Sequence, residues 1–219
     1  MPDFCRNLLE EYDLENRFSG KFIVLDGPDG CGKTTQCALL NAWLKKNGAD
    51  VEAFRDPGDT DIGEKIRRIL LDCQHDAMTT TTEILLYMAA RTQLWAEYIA
   101  PALARNKCVL LDRWLSSTCA YQGFAGSFGI DKVISLAADC LERPWPDLTV
   151  ILDVDLDTAQ RRLSPQPDRM EAKSASYRQK VREGFLQLTT DRAHFNVVDA
   201  RDDKETVHKR IIEVVEKMF

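Results

Sequence analysis

The sequence has no apolar run near the ~18 residues that a membrane-spanning helix needs. It also has no Cys-x-x-Cys pair, no internal repeat and no low-complexity stretch. A membrane span, a zinc ribbon and a solenoid are therefore not expected. The first twenty residues are acidic and polar and do not read as a secretory leader. Basic charge is not in surplus: 29 Lys and Arg stand against 35 Asp and Glu, a net charge of −6. A broad nucleic-acid or membrane surface is not expected either, and an anionic ligand would have to be held by locally gathered arginines. The seven cysteines, at positions 5, 31, 37, 73, 108, 119 and 140, are scattered among expected strands and helices. That pattern suits reduced, mostly buried thiols in a cytoplasmic protein. In 219 residues that are 44% hydrophobic and 29% charged, one domain with a core of ordinary size is expected.

What is present is concentrated in Lys21 to Leu40. An apolar strand (Phe22–Asp26) leads into Gly27-Pro28-Asp29-Gly30-Cys31-Gly32-Lys33-Thr34, followed by Thr35 and a helix opening near Lys33. The loop satisfies G-x-x-x-x-G-K-[ST] at every fixed position. Its glycines let successive backbone N–H groups face one point, and the helix N-terminus adds partial positive charge there. Lys33 can then reach terminal phosphates, and the Thr34 hydroxyl can hold Mg²⁺. Gly27, Asp29, Gly30, Cys31, Gly32, Lys33, Thr34 and Thr35 are the expected ATP-binding residues.

Residues 1–20 precede the first strand as an extension. Phe4, Leu8, Leu9 and Tyr12 fall at helical spacing there, as a surface appendage or a docking segment. Beyond it, residues 21–219 alternate apolar strands (51–55, 108–112, 149–153, 195–198) with helical patterns. Ile62, Ile66, Ile69 and Leu70 mark one such helix, and a longer one runs from about Thr82 to Ala104, bent or restarted at Pro101. Strands apolar throughout, alternating with helices, predict a five-stranded parallel sheet covered on both faces, an α/β three-layer fold. Ligands bind such sheets at the strands' carboxyl ends. Those ends carry Asp26, Arg55-Asp56, Asp112-Arg113 and Asp153.

Phosphoryl transfer needs a phosphate cradle, a metal, and positive charge on both donor and acceptor. Asp112 ends its strand within reach of a metal at Thr34, and Arg113 can point at phosphates from the same corner. Tyr87 and Arg91, four apart on one helix, can stack on a base and bond its edge. Arg55 and Arg67 bracket the Asp56-Pro57-Gly58 turn and can face an acceptor phosphate. Arg161, Arg162 and Arg169 surround a proline-rich loop that suits a lid over about residues 161–171.

The order GPDGCGKTTQ, RDPGDT, LLYMAARTQ, DRWLSSTCAYQG, PDLTVILDV and DRME resembles thymidylate kinase, over roughly residues 21 to 215. The resemblance implies a P-loop nucleoside monophosphate kinase fold, transfer of the ATP γ-phosphate to dTMP with Mg²⁺, and a homodimer. It implies that Asp29 meets the 3′-hydroxyl of dTMP and that Asp56 positions the acceptor side. By the same resemblance Arg67 and Arg113 hold the acceptor phosphate, Arg91 reads the thymine edge, and Tyr87 takes the stacking position. Ser117, Thr118 and Tyr121 then line thymine and deoxyribose, with Tyr121 crowding the 2′ position. Lys33, Arg113, Arg169 and Asp29 become the catalytic set, and Thr34 with Asp112 the metal side.

The chain departs from the family at Asp59, where a glycine is usual and the added charge is expected to lie beside an anionic substrate. It departs at Cys119, where a polar residue is frequent near the base, and in a short lid with no basic residue between Arg162 and Asp168. Gly30 in the loop then requires a lid arginine to supply charge. Cys31, beside Lys33 and a helix N-terminus, is expected to have a lowered pKa and to be the most reactive thiol. Two rival readings are a same-fold kinase of UMP or CMP and a nucleotide-binding regulator without turnover.

Overall fold

The structure is a computed structural model and describes residues 17–163, 165–190 and 192–219. The helix expected from Phe4, Leu8, Leu9 and Tyr12 lies outside the described residues. Five strands form one sheet in the order β2-β3-β1-β4-β5, every neighbouring pair parallel. They are β1 (Phe22–Asp26), β2 (Val51–Arg55), β3 (Cys108–Asp112), β4 (Leu148–Asp153) and β5 (Phe195–Asp199). Side chains alternate across the sheet. Phe22 and Val24 of β1 enter one core with Val109, Leu111 and Ile151, while Ile23 and Leu25 enter the other with Leu110, Val150 and Leu152. A central strand buried on both faces must be apolar on both, as β1 is from Phe22 to Leu25 before it ends on Asp26.

The helices are α1 (Lys33–Lys46), α2 (Asp61–Leu71), α3 (Thr80–Leu94), α4 (Ala100–Ala104), α5 (Leu115–Thr118), α6 (Ile130–Cys140), α7 (Leu156–Arg162), α8 (Ala175–Leu188) and α9 (Lys204–Met218). Helix α3 does not stop at Pro101. It widens into a π-helical turn, Trp95–Ile99, and continues as α4. A wider turn accommodates a residue that brings no N–H to the ladder. A second π-helical stretch, Cys119–Ala125, extends α5.

The Ile62-Ile66-Ile69-Leu70 face of α2 is only partly buried. Leu70 is fully buried, yet Ile62 is 50% and Ile69 43% exposed, and Leu85 on neighbouring α3 is 55% exposed. Phe18 is fully buried, edge-on to Trp43 and to Phe219. Among the described residues no helix is long and apolar enough to cross a membrane.

Candidate active site

The loop after β1 turns on glycines in left-handed backbone: Gly27 at φ 142°, Gly30 at φ 79° and Gly32 at φ 93°. Close approach demands two of them. A Cβ on Gly27 would stand 2.6 Å from the Leu152 carbonyl oxygen, and one on Gly30 2.5 Å from that of Ala159. Gly32 is different: a Cβ there would meet nothing within 4 Å, so its backbone conformation is what calls for glycine. Helix α1 opens at Lys33 with no side-chain cap, leaving its first N–H groups for a ligand. The Lys33 ammonium donates to the Gly27 and Pro28 carbonyls at 3.0 and 2.8 Å. The Thr34 hydroxyl donates to Asp112 Oδ2 at 2.6 Å.

Asp26, fully buried at the end of β1, organises the neighbouring strand end. It accepts from Gly27 N at 2.8 Å, Ser116 Oγ at 2.5 Å and Ser117 Oγ at 2.7 Å. Arg113 leaves β3 in left-handed backbone, φ 73°, a strained conformation for a non-glycine residue that aims its side chain back toward the loop. Its guanidinium donates to the Gly27 carbonyl at 3.2 Å, to Ser117 Oγ at 3.1 Å and to Asp29. The Tyr121 hydroxyl donates to the other Asp29 oxygen at 2.7 Å. Burial pulls the Asp29 carboxyl upward, but the charges of Arg113 and Lys33 and the bonds from Tyr121 and Arg113 hold it below the usual carboxylate value.

These residues open onto a cavity of about 570 Å³. One wall is the phosphate loop, with Asp29, Gly30, Gly32, Lys33, Thr34 and Thr35. Arg55, Asp56, Arg67, Tyr87 and Arg91 line the cavity too, as do Asp112, Arg113, Ser117, Thr118 and Tyr121 from the end of β3 and the segment after it. Burial, and then the nearby charges of Arg55 and Arg113, pull Arg67 below the usual guanidinium value. Arg91, 1% exposed, donates from Nε to Asp56 at 2.7 Å and from Nη2 to the Trp114 carbonyl at 3.2 Å and Thr118 Oγ1 at 3.0 Å. Its Nη1 is buried without a partner among the described residues.

Other sequence-expected residues lie elsewhere. Gly27, Cys31, Arg161 and Arg169 do not line the cavity. Arg161 binds Thr158 on its own helix, whereas Arg162 lines the cavity and donates to the carbonyls of Ala200, Arg201 and Asp202. Arg169 is 5% exposed. It donates from Nε to the Leu70 carbonyl at 2.7 Å and pairs with Glu83, so it anchors the base of the expected lid to α2 and α3. Asp153 turns away from the cavity to a two-pronged pair with Arg182 of α8, at 2.6 and 2.8 Å. Asp59 takes the left-handed turn position, φ 61°. It accepts from Arg55 N at 2.6 Å, so its charge serves the turn rather than facing the cavity. Cys119 packs in the core, with burial raising its pKa to about 12. Gln122, which sequence reasoning passed over, lines the cavity instead.

Cys31 also reverses its expectation. Its side chain is 1% exposed and sits in the core beneath the loop. Burial raises the thiol pKa, outweighing Lys33 and Arg113. Cys73 and Cys140 are exposed. Alkylation followed by peptide mass spectrometry is expected to label Cys73 and Cys140 first and Cys31 much later. Faster labelling of Cys31 than of both exposed thiols would contradict its burial.

A cavity lined by both a phosphate loop and several arginines suits two phosphorylated ligands bound together. The family model described as Thymidylate kinase matches residues 25–211. A thymidylate kinase of Caldanaerobacter subterraneus subsp. tengcongensis is 41% identical over 200 residues, covering 90% of this chain and 96% of that one. One from a Thermoanaerobacter species is 42% identical over 200 residues, covering 90% and 98%. The crystal structure of thymidylate kinase from Ehrlichia chaffeensis matches with a TM-score of 0.75 at 29% identity, covering 90% of this chain and 99% of that one. With the family model spanning most of its length and such relatives aligned nearly end to end, the chain belongs to the thymidylate kinase family.

Proposed function

We propose that this chain transfers the γ-phosphoryl group of ATP to dTMP, giving dTDP and ADP. The observation that carries the reading is the meeting of the Lys33–Thr34 phosphate loop and the Arg55, Arg67 and Arg113 cluster in one cavity. A hydrolase needs the first alone; transfer between two nucleotides needs both. Tyr87 offers a ring to the base, and the unpartnered Arg91 Nη1 is a donor left for the base edge. Ser117, Thr118 and Tyr121 line the sugar side, and Asp29 is placed to meet the 3′-hydroxyl.

The chain contributes position and charge and forms no covalent intermediate. Lys33 and the N–H groups of the loop hold the donor's terminal phosphates. Arg67 orients the acceptor phosphate, and Arg113, reaching the loop carbonyl of Gly27, lies between the two. Thr34 Oγ1 and Asp112 Oδ2, 2.6 Å apart, are a hard-oxygen pair of the kind that holds Mg²⁺. When bound, that ion neutralises charge on the phosphates. Arg162, which lines the cavity, is the lid arginine placed on the donor side, with Arg169 as the anchor of the lid.

The exposed apolar face of α2 and α3, formed by Ile62, Ile69 and Leu85, suits a second copy of the chain in a homodimer. Leu85→Glu is expected to convert a dimer to a monomer in analytical ultracentrifugation; a monomeric wild type would remove the dimer. The six described cysteines are all free, which suits the reducing cytoplasm. The function is tested by ADP release across dTMP, dUMP, dCMP, UMP and AMP. The highest kcat/KM is expected with dTMP. Preference for UMP or CMP, or nucleotide binding without turnover, would replace this reading.

A further inference from the structure

Glu83, Gln122 and Arg169 form a buried polar group behind the cavity, at 4%, 2% and 5% exposure. Glu83, Tyr87 and Arg91 follow one another at four-residue steps along one face of α3. Opposite, Thr118 and Gln122 are also four apart, on α5 and its π-helical extension. Two rungs join these rows. Arg91 Nη2 donates to Thr118 Oγ1 at 3.0 Å, and Gln122 Nε2 donates to Glu83 Oε2 at 3.0 Å. Tyr87 stands between the rungs. The other Glu83 oxygen accepts from Arg169.

A carboxylate paired with a guanidinium has acceptors and no proton to give. The Gln122 amide must therefore turn its NH₂ group to Glu83, which leaves its oxygen as the atom available to the cavity that Gln122 lines. Arg91 lines the same cavity with Nη1 unpartnered. The base pocket thus offers one acceptor and one donor. A pyrimidine with a ring N–H beside a carbonyl complements both. A 4-aminopyrimidine presents a ring-nitrogen acceptor and an amino donor, and so opposes both.

We propose that Glu83 is a positioning residue that sets base selectivity: by fixing the orientation of the Gln122 amide, it makes the pocket accept an imide edge and reject a 4-amino one. The inference rests on the reading that Tyr87 and Arg91 receive the pyrimidine of the acceptor. Replacing Glu83 with glutamine gives Gln122 a partner that can donate or accept, so the amide can turn over.

The experiment compares kcat/KM for dTMP and dCMP in the whole enzyme. In wild type the ratio is expected to be large. Glu83→Gln is expected to lower it by about tenfold or more, because a site built around a hydrogen bond discriminates strongly while that bond holds. The change should include a lower KM for dCMP, which a merely loosened fold would not produce. Arg169→Lys keeps a cation beside Glu83 and is expected to alter both substrates together, leaving the ratio in place. Gln122→Met, which keeps the volume and removes the amide, is the second variant should Glu83→Gln not fold, and is also expected to lower the ratio. A ratio within about threefold of wild type in Glu83→Gln or Gln122→Met would overturn the proposal. So would an Arg169→Lys ratio that falls as far as that of Glu83→Gln. A wild type without preference for dTMP would instead overturn the pocket assignment itself.

Discussion

Lys33→Ala is expected to lower kcat for dTMP phosphorylation by about 10³-fold or more while the protein stays folded. The two halves of that expectation have separate causes. Lys33 is 6% exposed and its ammonium is held by two loop carbonyls, so its position is set before any phosphate meets it. Charge fixed in advance costs no reorganisation as negative charge shifts between donor and acceptor. Removing one such donor costs about 3–4 kcal/mol of transition-state stabilisation, and a full positive charge belongs at the upper end. The fold depends on it little. Lys33 is the first residue of α1, alanine is a good helix former, and the core below is built by Leu40 and Leu44. Steady-state kinetics and a thermal melt check both halves. A kcat within tenfold of wild type would remove the phosphate loop from the mechanism. A large fall in melting temperature would show that the activity loss reports unfolding.

The residues around Lys33 illustrate what can be read from a sequence and what cannot. The strands were legible because β1 and β3 are unbroken apolar runs closed by an aspartate and the other three are short, mainly apolar runs that also end on a charged residue. Gly27 to Thr34 was legible because phosphate binding needs a fixed spacing of glycines ahead of a helix. The four-residue step put Tyr87 and Arg91 on one helix face, and only the family resemblance turned that face toward a ligand. What failed was the assignment of partners among charges far apart in the chain. Nothing local to Arg169 distinguishes a free lid arginine from one buried against Glu83, 86 residues away. Asp153 ends an apolar strand just as Asp112 does, yet Arg182 of α8 neutralises it. Asp26 was visible as a strand end, but its role as acceptor for Ser116 and Ser117 depends on how β3 leaves the sheet. Cys119 was misplaced and Gln122 missed because position along the helix decides which side chain faces the cavity: Gln122 is four residues from Thr118 and lines the cavity with it, whereas Cys119 packs in the core. Cys31 was misjudged for a different reason: the charges that lower a thiol's pKa are near it, but its side chain points into the core, where desolvation dominates.

Asp56→Ala is expected to destabilise the protein by about 3–5 kcal/mol, because it leaves the Arg91 guanidinium buried without its counter-charge. Both partners are at most 1% exposed and 2.7 Å apart, so water cannot take the place of the missing carboxylate. For a domain of this size the melting temperature should fall by about 10 °C. The double replacement Asp56→Leu with Arg91→Met separates structure from function. It removes both charges and fills the space with apolar atoms, which is often neutral for a buried pair. The Trp114 carbonyl and Thr118 hydroxyl still lose a donor, at about 1 kcal/mol each, so the double variant should regain at least half of the lost stability. Its kcat/KM for dTMP should nevertheless remain down by about 10³-fold, since a site that has lost the donor to the base cannot reproduce it. Stability regained without activity would mean that the buried pair is kept for the ligand: Asp56 holds Arg91 by Nε, and that hold leaves Nη1 without a partner in the protein. A double variant no more stable than Asp56→Ala would mean instead that the pair is part of what keeps α3 against β3, and its link to the base would have to be argued from Nη1 alone.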